Sequence, residues 1–136
     1  MTYLLDTNAC IRLLNGTSIP LATRLKEVGP SQVRLCATVQ AELVFGAYKS
    51  QFPEKNLALL EQFFRQMESI PFDERAVDAY GRIRSALEKR GTPIGPNDLQ
   101  IAAVAVAHRL TLVSHNTKEF GRVSGLDLED WEHPVV

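Results

Sequence analysis

Cysteine is scarce in this chain: two thiols, Cys10 and Cys36, in 136 residues. They form no CxxC pair, and two thiols make no disulfide framework. Both read as small buried side chains in a reducing compartment. An excess of charge of one sign is missing too. Fifteen Lys and Arg stand against sixteen Asp and Glu, a net charge of −1. Nucleic-acid binding through bulk positive charge is thereby excluded, and phosphates must meet a local basic patch. Long hydrophobic runs are also lacking. Tyr3-Leu4-Leu5 stops at Asp6, too short for a signal-peptide core, and the tract from Leu99 to Val113 is broken by Gln100, His108 and Arg109. The expectation is a cytoplasmic protein without a membrane segment. No GxxxxGK[ST], GxGxxG or GxSxG occurs, so P-loop, dinucleotide and hydrolase-elbow readings have no support.

What is present is an ordinary globular mix, 45% apolar and 23% charged, in a length that fits one domain over residues 1–136. Tyr3-Leu4-Leu5 reads as a buried strand, followed by a helix that ends at Asn15-Gly16. Residues 21–28 have helical spacing and stop at Gly29-Pro30. Residues 33–36 read as a second strand, with Thr38 as cap of the helix after it. Residues 54–68 are amphipathic, with Leu57, Leu60, Phe63, Phe64 and Met67 on one side. That is more apolar surface than one helix face of a small domain readily covers, and it either packs into the chain's own core or serves a homodimer contact. Ser69 to Phe72 is at most a short strand, because Pro71 confines it to a strand end or a sheet edge. Asp73 caps a long helix through Lys89. A helix opening at Asn97 or Asp98 runs to His108 and is apolar nearly all round. Leu110 to Ser114 is strand-like, and Asp127 to Trp131 adds a last edge strand. Strands separated by helices predict an α/β fold with a mainly parallel sheet.

In such sheets, sites form beyond the carboxyl ends of the strands. Asp6 ends the first strand there, and Ser114 ends the late strand, followed by His115-Asn116-Thr117-Lys118-Glu119. Asp6 can cap the helix that follows, but Thr7 or Asn8 serves equally well, which leaves the Asp6 carboxylate for chemistry. Glu42 borders the stripe of Val39, Leu43 and Gly46, with no cation one helical turn away. Asp98 faces the same way as Ile101, Ala102 and Ala105, and capping by Asn97 leaves it pointing inward. Converging carboxylates repel and raise at least one pKa unless a cation joins them. A hard divalent ion, Mg²⁺ or Mn²⁺, takes oxygen ligands and keeps waters. One such water can serve as nucleophile in phosphodiester hydrolysis. The histidines are weaker candidates. His108 sits at a helix end, His133 lies in the tail, and His115 belongs to no zinc spacing.

Four blocks then match a known pattern: LLDTNACIRLL, QAELVFGAYKSQ, RGTPIGPNDLQIAAVA and LTLVSHNTKEFGRVSGLDLEDW. In their order and spacing, from Tyr3 to Trp131, the chain resembles the PIN domain, specifically VapC-type toxins of toxin–antitoxin pairs. The resemblance implies a three-layer α/β/α sandwich and a Mg²⁺- or Mn²⁺-dependent endoribonuclease. It also implies homodimers and a VapB-like antitoxin that enters the active-site groove. By position, Asp6, Glu42 and Asp98 match the family's acidic residues, with Asp6 and Asp98 as metal ligands. Many PIN domains carry a fourth aspartate just after the late strand. Here Asn116 stands at that position, and Glu119 is the available fourth carboxylate. Thr7 and Asn116 are helpers that position substrate or water. Phosphate contacts fall to one or two of Arg82, Arg84, Lys89, Arg90 and Lys118.

Other classes fit less well. A haloacid-dehalogenase-type phosphatase needs an aspartate two residues after the first, where this chain has Asn8. A receiver-like domain needs an acidic pair after the first strand, and Asp6 stands alone. A non-toxin PIN nuclease, or a PIN module that only binds RNA, remains the nearer alternative. The binding-only form would have lost several carboxylates, and three remain in place.

Overall fold

A computed structural model of the chain describes residues 1–132; His133 lies outside the described residues. Five strands form one sheet in the order β3-β2-β1-β4-β5, with every neighbouring pair parallel. They are β1 (Tyr3–Leu5), β2 (Val33–Cys36), β3 (Glu68–Ile70), β4 (Thr111–Val113) and β5 (Leu128–Glu129). The helices are α1 (Thr7–Asn15), α2 (Ile19–Val28), α3 (Ala37–Lys49), α4 (Pro53–Phe64), α5 (Glu74–Lys89), α6 (Pro96–Ala107) and α7 (Thr117–Phe120). By the right-handed crossover rule this order puts α1 to α4 on one face and α5 and α6 on the other, and α3 packs with α1 and α4 while α5 packs with α6. The α/β/α expectation is met, and the sheet is wholly parallel.

Strand β1 lies at the centre with β4 beside it, and each is buried along its whole length. Strands covered on both faces read as unbroken apolar runs, hence Tyr3-Leu4-Leu5 and Thr111-Leu112-Val113. Helix α6 buries Leu99 and every residue from Ile101 to Ala105, as its all-round apolar character implies. Gly16 takes φ +66° at the end of α1, a left-handed turn that glycine enters without steric cost. Asp73 caps α5, its Oδ1 accepting from the Ala76 amide, while its Oδ2 stands 2.9 Å from His108 Nε2.

Three helix starts are settled by packing. Asp6 itself caps α1, accepting from the Ala9 amide at 2.8 Å. Cys36, not Thr38, is the cap of α3. Helix α6 opens one residue earlier than expected, with Gly95 as cap and Pro96 in the first turn, where proline's missing N–H costs nothing. Asp98 therefore does sit in the first turn. The helix expected over 54–68 ends at Phe64, and the chain turns into edge strand β3. The face of that helix is also spent within the chain. Leu60, Phe63 and Met67 are buried, and Leu57 and Phe64 pack against the same core. Helix α4 leaves Leu59 exposed, and other large apolar side chains are exposed elsewhere, among them Phe45 and Tyr48 on α3 and Phe52 just beyond it.

Candidate active site

Parallel doubly wound sheets open a crevice where the strand order reverses. Here the chain leaves β1 toward β2 and β3, then crosses back to β4 on the other side of β1. The reversal thus lies between β1 and β4, where the Asp6 amide donates to the Val113 carbonyl at 3.1 Å. Helices α1 and α3 begin at the carboxyl ends of β1 and β2, and α7 follows β4. Helix α6 brings its own first turn to the same end.

Asp6 is 4% exposed. Its Oδ1 accepts from Ala9 N, and its Oδ2 accepts from Ser114 Oγ at 2.6 Å. Burial pushes the Asp6 carboxyl up, and the two hydrogen bonds pull against that. Glu42 accepts from Thr7 Oγ1 at 2.6 Å, so the residue after Asp6 anchors the next carboxylate across 35 positions of chain. Asp98 is pushed up to about 6, first by burial, then by the charges of Glu119, Asp6 and Glu42. When protonated it donates to Glu119. Glu119 is held low, chiefly by the Gly95 amide, which donates to Oε1 at 2.8 Å. Its Oε2 accepts from Asn116 Nδ2 at 3.0 Å.

Of the four carboxylates predicted from sequence, Asp98 thus feels the charges of the other three at this end of the sheet. Thr7 and Asn116 each touch one of them directly. Asn116 and Glu119 share a face at i and i+3, and Glu119 faces Gly95 rather than pairing with Arg122, whose guanidinium donates to the Pro93 carbonyl. The contact that sequence reasoning missed is Ser114. It is 1% exposed, donates to Asp6 and accepts from the Asn116 amide at 3.0 Å. Its signal was a lone hydroxyl ending the apolar run of β4, beside Asp6 at the point of reversal.

The expected basic residues divide. Arg82 pairs with Asp78 and Arg84 with Glu88 along α5, and Arg90 donates to the Arg122 carbonyl. Lys89 and Lys118 are exposed. Close to Asp6, a ligand atom each of His115, Asp130 and Glu132 lies within 4.8 Å of the others. His115 Nδ1 stands 2.9 Å from Asp130, Arg12 pairs with Glu132 at 3.1 Å, and Glu132 adds to the negative potential at Asp6.

Residues 3–126 match the PIN domain family. The chain belongs to that family. Among curated PIN proteins it is 37% identical over 131 residues to the tRNA(fMet)-specific endonuclease VapC of Shigella flexneri, covering 96% of this chain and 98% of that one. It is 38% identical over 133 residues to ribonuclease VapC2 of Rickettsia felis, covering 97% and 99%. Among solved structures, VapBC2 of Rickettsia felis, bound to a DNA fragment from its promoter, superposes with a TM-score of 0.90 at 37% identity, covering 96% of this chain and 99% of that one. The DNA-bound VapBC of Salmonella typhimurium gives 0.91 at 36% identity, covering 96% and 98%. This PIN domain thus shares its sheet, its helices and nearly its whole length with VapC proteins.

Proposed function

We propose that this PIN domain, spanning residues 1–136, is a metal-dependent endoribonuclease and the toxin of a VapBC-type toxin–antitoxin pair in the cytoplasm. The observation that carries the reading is the convergence of Asp6, Glu42, Asp98 and Glu119 at the reversal point of a parallel sheet. The donor set fits a hard divalent cation: every ligand atom is an oxygen, and burial together with the charges of Glu119, Asp6 and Glu42 lifts Asp98 to about 6. Asp6 and Asp98 would hold Mg²⁺ or Mn²⁺, with Glu42 and Glu119 completing the acidic ring. When bound, the ion supplies Lewis-acid stabilisation of a phosphoryl oxygen and a water of lowered pKa.

The chain's own residues do the positioning. Ser114 and the Ala9 amide fix the Asp6 carboxylate at both oxygens. Thr7 fixes Glu42, and Gly95 with Asn116 fixes Glu119. Such preorganisation lowers the cost of assembling the site at the moment of reaction. Thr7 and Asn116 also present groups that can orient substrate or water.

Two surfaces support the partners. A groove of about 460 Å³ between α1, α3 and α4 runs up to Glu42, with Ile11, Leu14, Leu59 and Phe63 among its lining, and suits an apolar segment of a VapB-like antitoxin. The exposed Phe45, Tyr48 and Phe52 suit a homodimer contact better than the 54–68 face. No helix among the described residues is long and apolar enough to cross a membrane.

The test is cleavage of total tRNA and of a single-stranded RNA by EDTA-stripped protein, with and without Mg²⁺ or Mn²⁺. Cleavage should require the ion. Asp6→Asn, Glu42→Gln and Asp98→Asn should each abolish it while circular dichroism stays unchanged. Metal-free cleavage, or wild-type activity in Asp6→Asn, would overturn the assignment.

A further inference from the structure

Helices α3 and α6 carry Glu42 and Asp98, yet they pack on opposite faces of the sheet. Their strands, β2 and β4, are separated by β1. The two helices are in contact, and Thr38 and Gln100 join them near their amino-terminal ends, where the site lies. Among the described residues, one side-chain hydrogen bond joins them: Thr38 Oγ1 donates to Gln100 Oε1 at 2.9 Å. Thr38 lies one turn before Glu42, and Gln100 lies two residues after Asp98. Along the helix axes those offsets are about 6 Å and about 3 Å. A helix is stiff over so short a distance, so the bond fixes the separation of the carboxylate-bearing backbones.

Three features mark the pair as more than incidental. Gln100 is the single polar residue of α6 after Asp98, in the run LQIAAVAVA. Thr38 is buried, at 9% exposure. A threonine within a helix commonly bonds back to its own backbone; this one reaches across to a neighbouring helix.

We propose that Thr38 and Gln100 form a positioning pair that holds Glu42 and Asp98 at the spacing needed to bind a divalent cation. The inference rests on the reading of these carboxylates as a metal site. Neither residue touches substrate or metal; both act through the carboxylates. Removing such a supporting contact lowers metal affinity by about tenfold or more.

The experiment measures Mn²⁺ binding to EDTA-stripped protein by calorimetry, alongside RNA cleavage as a function of Mn²⁺. Thr38→Val keeps the shape and removes the hydroxyl, and Thr38→Ser restores it. Thr38→Val should weaken Mn²⁺ binding about tenfold and raise the half-saturating Mn²⁺ by the same factor. At saturating Mn²⁺ its kcat should return close to wild type, and Thr38→Ser should bind within about twofold of wild type. Gln100→Met removes the acceptor from the other side and should reproduce Thr38→Val; combining the two should add little, since each breaks the same bond. If Thr38→Val does not fold, Gln100→Met carries the test alone. Wild-type Mn²⁺ affinity in a folded Thr38→Val or Gln100→Met protein would overturn the proposal. So would an equal loss in Thr38→Ser, which would make the role one of packing. Wild-type protein that binds no Mn²⁺ would instead bring down the metal-site reading and this inference with it.

Discussion

Replacing Asp98 by asparagine is expected to stabilise the metal-free protein and to remove its response to metal. The Asp98 carboxyl is raised from 3.8 to about 6 by burial and by three neighbouring carboxylates. Ionising it in the folded state therefore costs more than in the unfolded chain. At about 1.4 kcal/mol per unit the upper limit is about 3 kcal/mol. Asp98 is half-buried, and solvent screening brings the figure to about 1–2 kcal/mol. Asparagine carries no charge, and its Nδ2 can donate to Glu119 as protonated Asp98 does. The sign follows from linkage. A carboxyl with a raised folded pKa penalises the fold only where it is ionised, so the penalty is absent below pH 3.8, grows up to about pH 6 and is complete above it. The assay is thermal unfolding in EDTA at pH 7.5 and pH 4, read as the difference between variant and wild type so that other titrations cancel. At about 3–4 °C per kcal/mol for a domain of this size, Asp98→Asn should melt about 3–8 °C above wild type at pH 7.5 and nearly level with it at pH 4. Added Mn²⁺ should raise the wild-type midpoint and leave the variant unmoved. A variant that melts below wild type at pH 7.5, or shows the same difference at both pH values, would refute the account of the cluster as uncompensated negative charge.

Glu119→Gln should lose metal-dependent cleavage at limiting Mn²⁺, whereas Asn116→Ala should lose it only modestly; the reverse order, measured in the same titration, would place the essential contact at Asn116. Ser114→Ala leaves one Asp6 oxygen without its donor in a buried place, which should cost about 1–3 kcal/mol in urea unfolding at pH 7.5. Ser114→Thr, which keeps the hydroxyl, should retain Mn²⁺ affinity better than Ser114→Ala. Light scattering at micromolar concentration should give twice the 15.2 kDa chain mass, and Phe45→Glu with Tyr48→Glu should halve it; a monomeric wild-type protein would contradict self-association.

Much of the molecule was legible in the sequence because its signals are local. Strand and helix alternation came from apolar runs and helical spacing, and the end of α1 from Gly16. Asp73 announced α5 because a cap bonds to an amide three residues away. The strand-end position of Asp6 and the inward face of Asp98 needed only the period of the element each belongs to. The caps of α3 and α6 were misplaced for the same reason. A threonine or an aspartate satisfies local rules at several neighbouring positions, and only packing chose Cys36 and Gly95. The apolar face of 54–68 was ambiguous too, since periodicity cannot tell a surface kept for a partner from one covered by the chain's own core.

The arrangement of the site was decided by tertiary structure. Ser114 meets Asp6 across 108 positions of chain, Thr7 meets Glu42 across 35, and the Gly95 amide meets Glu119 across 24. None of these spacings is a helical or strand period. Each depends on the order β3-β2-β1-β4-β5, which brings the ends of β1 and β4 side by side. Sequence alone identified the carboxylates that repel. The fold set how deeply each is buried and which donors reach it, and so which of them holds a proton near pH 6. Coulomb and desolvation energies depend on distance and solvent exposure, and neither is encoded by separation along the chain.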